Sequence, residues 1–311
     1  MEYNIENMSD SGEPEQKLSR RDFLKLGGLG LGYLAVRPYY EILNGIYKRG
    51  PNDEFENNIE SGISFIKNEY GVDIFTGIPK ATNFFSPAYG KITGTDLSRY
   101  ELSRGLGLVL EEIVKYPRNY FKKNLVGNIR FINNVKIGEL DYYGGFGANL
   151  GTLGIAYSAE NNEEGREYFR GVFHHELYHG TDFYDGLYFM DNKEWEDIHN
   201  CGCKVYWDVG GRDSKDGVTP PTSPLEWFLD PYGQMNAPED RAVFAQVMMI
   251  PSLHRLLIDH ITNTTDPNTR EILEKKRNLI KNDFTRWSGG QMDDNYWNDL
   301  VNDKVNFDYF A

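Results

Sequence analysis

The sequence feature that most constrains this chain is His175-Glu176-Leu177-Tyr178-His179. Residues four apart stack on one face of an α-helix, so His175 and His179 offer two imidazoles to one ion without bending the backbone. Glu176 is rotated about 100° round the helix from His175, which carries its carboxylate past such an ion toward a water rather than onto the metal. Zinc acidifies water, and a carboxylate alongside can take the proton and pass it to a leaving amine. The pattern fixes only three positions, and an amphipathic helix with hydrogen-bonded histidines satisfies it too. The flanks suit a buried helix: Val172 and Phe173 precede the motif, and Leu177 and Tyr178 lie inside it. Asn161-Asn162 offers a cap, Glu163 and Glu164 suit a first turn, and the helix is expected to run to about Tyr184.

Upstream, apolar spacing predicts helices over 61–70 and 97–116 and strands over 72–75, 128–137 and 152–158, the last following a Gly-rich turn at 142–147. This order implies an α+β fold: a small twisted sheet with an edge strand packed on the His-Glu-x-x-His helix and a backing helix. An edge strand at 152–158 could accept an extended peptide as one more strand. Residues 186–231 lack periodicity and hold Trp195, Trp207 and Trp227, which suggests a long aromatic excursion shaping access to the cleft. Its Cys201 and Cys203 read as free or locally paired thiols; with His199 they make only three ligands for a second metal. A mainly helical C-terminal part follows. Asn236 caps a helix with Pro238 in its first turn and Pro251 beyond its end, further helices cover 253–261 and 267–287, and the Asp/Asn-rich tail from Asp293 reads as surface. The expected division is a leader at 1–38, a linker at 39–60, a catalytic domain at 61–290 and a polar tail at 291–311.

Arg20-Arg21-Asp22-Phe23-Leu24-Lys25 precedes a Gly-rich apolar run ending at Val36, the pattern of a twin-arginine export signal. That run is shorter than the ~20 residues needed to span a bilayer. No Ala-x-Ala site follows it, so an uncleaved leader would serve as a membrane tether. The expected location is extracellular, periplasmic or cell-surface. With 47 acidic against 33 basic residues and a net charge of −14, the composition argues against nucleic-acid binding. Oligomeric state stays open.

A catalytic zinc takes three protein ligands and leaves one position for water. Two residues compete for the third place. Asp185 follows His179 by six, where another class of zinc peptidase places its third ligand after a sharp turn at a glycine; here that position is Asp182, which tolerates such a turn less well. Glu239 lies in the first turn of its own helix, where the dipole would favour an acid in any case. His174, pointing elsewhere round the helix, is expected to pack or support; His199, His254 and His260 receive no role.

His175-Glu176-x-x-His179-x-x-Asp182, followed by Tyr232-Gly233-x-x-Asn236-x-x-Glu239-x-x-Ala242, resembles the zinc peptidases of the anthrax-lethal-factor-like branch of gluzincins, of which the Pro-Pro endopeptidases are smaller relatives. Glu239-Asp240-Arg241-Ala242 also resembles a set of uncharacterised bacterial and archaeal zinc metallopeptidases. The resemblance implies a zincin-like fold and one catalytic Zn²⁺ held by His175, His179 and Glu239. It also implies Glu176 as general base, Tyr232 as donor to the oxyanion and Asp182 orienting a ligand histidine. Thr181, where an apolar residue is usual, Val243 in place of an acid, and the longer excursion depart from the pattern. A phenol near the metal suits the oxyanion role, since it donates without carrying charge. The expected activity is hydrolysis of peptide bonds in a peptide or protein substrate. The alternatives are a cell-surface binding or scaffold protein with a structural zinc, and a hydrolase of non-peptide amides.

Overall fold

The computed structural model describes residues 54–77, 92–137, 140–141, 145–148, 151–157, 163–185, 193–208 and 220–310. The leader, the twin-arginine segment and most of the expected linker lie outside the described residues. In chain order the elements are α1 (Glu54–Tyr70), β1 (Asp73–Thr76), β2 (Ile92–Thr95), α2 (Arg99–Ile113), α3 (Tyr120–Lys123), β3 (Asn128–Ile137), β4 (Leu140–Asp141), β5 (Gly145–Ala148) and β6 (Thr152–Tyr157). Then come α4 (Glu163–Asp185), α5 (Lys193–Asp197), α6 (Ala237–Met249), α7 (Pro251–Asn263), α8 (Pro267–Ser288) and α9 (Asp294–Val301). The architecture is α+β, with the sheet in the N-terminal half and helices beyond it.

β3 is the strand on which the sheet is built. Ile129, Phe131, Ile132 and Val135 are all buried, committing both of its faces to the interior. Its first half pairs in parallel with β1, and residues 128–133 pair in parallel with β6, Asn128 opposite Thr152 and Asn133 opposite Tyr157. β2 and β4 pair antiparallel with its second half. The main path of the sheet is β1-β3-β6-β5.

This order corrects the expected edge. β6 is paired on both sides, with β3 and, antiparallel, with β5 from Gly145 opposite Ile155 to Ala148 opposite Thr152. Among the described residues the edge strand on this side of the sheet is therefore β5, which overlaps the turn expected at 142–147. Two glycines in four residues suppress its strand signal, and cross-strand pairing overrides it.

Two other boundaries differ for one reason: averaged polarity hides an apolar stripe. Ile59, Ile66 and Tyr70 bury one face of α1, so helix begins at Glu54, inside the expected linker. Beyond Asp293 the chain forms α9, whose Tyr296, Trp297 and Leu300 are buried, rather than a surface tail. Among the described residues no single helix is long and apolar enough to cross a membrane.

α4 packs on β5 and β6 and against α2 and α6. α6 is buried on nearly every side, from Ala237 through Asp240–Ala245 to Met249, which makes it the central helix of the C-terminal half.

Candidate metal centre

Phe169, Phe173 and Leu177, spaced by four, and Tyr178 beside them are buried along α4. Phe169 stacks on Phe131 of β3 at 6.0 Å between ring centroids. Tyr178 lies against Trp287 and Phe284 of α8 and its hydroxyl donates to Asp283 at 2.6 Å. These contacts fix the rotation of α4 and so decide where the histidines point.

His174 and His175 turn to different neighbours. The Tyr116 hydroxyl donates to His174 Nδ1 at 2.7 Å, and His174 Nε2 donates to Glu112 of α2 at 2.6 Å. Burial pushes the His174 imidazole down to about 4. Burial also works to raise the Glu112 carboxyl, but Lys115, His174 and Arg170 outweigh it and hold it below the usual carboxylate range. His174 is thus a neutral anchor between α4 and α2, in line with the packing role expected of it.

His175 and His179 face α6. The Asn236 side chain accepts from the Glu239 N–H at 2.9 Å, and Pro238 fits the first turn, where no helical donor is needed. The cap places Glu239 in that turn. Its Oε2 lies 3.1 Å from His175 Nε2 and 3.1 Å from His179 Nε2, and the two imidazole nitrogens are 3.1 Å apart. Burial disfavours charge on Glu239, yet His179 and His175 outweigh it and keep the carboxyl well below its ordinary range.

This donor set fits a zinc ion. A tetrahedron with bonds of about 2.0–2.1 Å has edges of roughly 3.3 Å, close to the triangle described. A ring nitrogen either donates one hydrogen bond or accepts, so protons cannot satisfy all three edges of the triangle at once; a cation at the centre is within reach of all three ligand atoms. Among the described residues this is the group of His, Cys, Asp and Glu with metal-ligand spacing.

α4 stays helical through Asp185, so that backbone position lies about 240° round the helix from His179. The Asp185 side chain lies outside the described residues. Glu176 is 8 % exposed and lines a small cleft with Val126, Thr152, Leu153, Leu177 and Gly180, beside the start of β6. Tyr232 is 41 % exposed, with its ring centroid 6.1 Å from that of His175. Its turn is closed by the Tyr232 N–H donating to Asp230 at 2.6 Å and by the Met235 N–H donating to the Tyr232 carbonyl at 3.0 Å.

Asp182 accepts through Oδ2 from Arg241 at 2.6 Å, with both side chains buried. This ion pair ties α4 to α6 just beyond His175, His179 and Glu239. Removing one member of a buried pair strands the other, at a cost of about 3–5 kcal/mol, whereas replacing both by apolar side chains is often neutral. Arg241→Met is therefore expected to lose about 3–5 kcal/mol in urea unfolding. Asp182→Leu with Arg241→Met should recover most of it; no recovery would show that the two sites do not act as a pair.

The cysteines are the locally paired thiols that the sequence reading allowed. Cys201 and Cys203 are joined as a disulfide. His199 donates from Nδ1 to the Glu196 carbonyl at 3.1 Å and stacks on Phe228, and burial pushes it down to about 4. His254 is buried and accepts from Arg277 at 3.1 Å, and His260 is on the exposed side of α7.

A polar cluster beside Glu239 has no counterpart in the sequence reading. Asp240 and Lys276 are fully buried and paired at 2.7 Å; burial raises the first and lowers the second, each opposed by its partner. The signal was present in α8, where Leu273, Ile280 and Phe284 form an apolar stripe that Lys276 interrupts.

No family model matches the chain, and neither does any curated protein. A solved structure of a candidate zinc-binding metallo-peptidase from Bacteroides caccae superposes with a TM-score of 0.49 and 14% sequence identity, over 84% of this chain and 98% of that one.

Proposed function

We propose that this protein is an exported zinc-dependent metallopeptidase of zincin-like architecture. The observation that carries the proposal is the triangle of His175, His179 and Glu239 with edges of 3.1 Å, next to a buried carboxylate, Glu176, that is not part of it. A zinc ion held by these three residues supplies the Lewis acidity that polarises a carbonyl and makes water nucleophilic near neutral pH. Glu176 takes the proton of the attacking water and delivers it to the departing amine nitrogen. The Tyr232 hydroxyl donates to the oxygen that gains charge as the carbonyl carbon becomes tetrahedral. An extended substrate would add to β5, the edge strand beside α4, rather than to β6, whose two sides are already paired.

The test is cleavage of a peptide library by the purified protein, before and after exhaustive chelation. Cleavage should disappear with the metal and return when zinc is restored at about one ion per chain. Chelation that removes the zinc and leaves the rate unchanged would overturn the proposal.

A further inference from the structure

Asp240 follows the ligand Glu239 directly, yet it faces away from the metal triangle into a cluster of its own. Its Oδ2 accepts from Lys276 Nζ at 2.7 Å, from the Tyr206 hydroxyl at 2.9 Å and from Trp195 Nε1 at 3.0 Å. Lys276 also donates to the Trp227 carbonyl at 2.8 Å, and its ammonium lies 4.4 Å from the centre of the Phe228 ring. One charge pair thus gathers residues 195, 206, 227 and 228, all from the aromatic excursion that lacks periodicity in sequence.

The turn that carries Tyr232 rests on this cluster. A Cβ on Gly233 would meet Asp240 Oδ1 at 3.1 Å, Asp240 Cα at 3.3 Å and the Asp230 carbonyl at 3.3 Å, so the turn lies so close to Asp240 that a side chain at that position would push one of them by a few tenths of an ångström. The excursion is joined to the same turn by the Trp207 N–H, which donates to the Gln234 carbonyl at 3.0 Å. Burying a lysine and an aspartate is a poor route to stability, because desolvation offsets their attraction and apolar side chains of similar volume serve as well. What the pair supplies is a fixed distance between α6, α8 and the turn.

We infer that Asp240 and Lys276 are positioning residues, which hold the Tyr232 turn against the start of α6 and so keep the phenol beside His175. The inference rests on the peptidase proposal only for the catalytic consequence; the positioning itself is independent of it.

Two variants test it in the full-length protein. Asp240→Asn with Lys276→Met removes both charges together, which avoids stranding either one. Gly233→Ala displaces the turn without altering any charge. Hydrogen exchange of the metal-free protein should accelerate at least about tenfold over residues 228–236 in both variants, with exchange over residues 175–182 unchanged. Unchanged exchange over 228–236, or an equal rise everywhere, would overturn the inference. In the zinc-loaded protein, Tyr232→Phe should lower kcat about 10²-fold, the usual cost of one oxyanion donor. Added to Asp240→Asn/Lys276→Met, it should lower kcat by no more than about twofold further, since that phenol is already displaced. An undiminished effect of Tyr232→Phe in that background would also overturn the inference. If wild type cleaves no peptide, the peptidase proposal alone falls, and the exchange comparison still decides the positioning.

Discussion

Glu176→Gln is expected to lower kcat/KM on a cleavable peptide by about 10²–10⁴-fold, the range assigned to a positioned general base, while the zinc content stays at one per chain. The substitution keeps size and shape, so the helix and the packing beside Leu177 should survive it. Glutamine accepts no proton at neutral pH, so the attacking water keeps its proton and the leaving amine receives none. Zinc should remain because Glu176 lies outside the triangle formed by His175, His179 and Glu239. Paired measurements of peptide turnover and metal content check both halves. Full activity would remove Glu176 from the mechanism, and loss of zinc would make it a ligand.

Under the proposed site, Glu239→Ala removes a ligand and should cost more than the 10–100-fold in zinc affinity that is typical of changes one shell out from a metal. Alanine suits a helix's first turn, and the Asn236 cap bonds the backbone N–H of residue 239 rather than its side chain. The metal-free variant is therefore expected to fold. What should vanish is stabilisation by zinc, which grows as RT ln(1 + [Zn]/Kd) in the wild type. Competition with a chelator of known affinity, alongside thermal melts with and without zinc, measures both. A variant that keeps its zinc would point to another third ligand, Asp185 first, and the site shared by two helices would be wrong.

The sequence revealed the two histidines because both lie in one local pattern, His175-Glu176-x-x-His179, whose helical period makes their meeting a matter of backbone geometry. It did not reveal by itself that Glu239 joins them. No local signal distinguishes a ligand in a helix's first turn from an acid that the dipole favours there, so only the resemblance separated Glu239 from Asp185. The edge strand escaped because Gly145-Phe146-Gly147-Ala148 has poor strand propensity and owes its conformation to pairing with β6. The sequence marks Asp182 and Arg241 only as members of two separate motifs; burial and a shared location, both tertiary facts, make them a pair. α9 was hidden by its composition, since Asp293 to Asp299 look like solvent-facing residues until Tyr296, Trp297 and Leu300 are placed on one side.

Glu239, Asp240 and Arg241 are three charged residues in a row at the start of one helix, about 100° apart round its axis. Each is answered from elsewhere: by His175 and His179 on α4, by Lys276 on α8, and by Asp182 on α4. The centre is therefore not a portable cassette. Transplanting the His-Glu-x-x-His helix and the Glu239 helix into another scaffold would carry the ligands but strand Asp240 without its lysine. The smallest transferable unit spans three helices drawn from more than a hundred residues of chain, from α4 at Glu163 to α8 at Ser288. A natural recombination that cut between α4 and α6 would separate His175 and His179 from Glu239 and lose the centre whole, whereas one that cut between α6 and α8 would leave Asp240 buried without its partner.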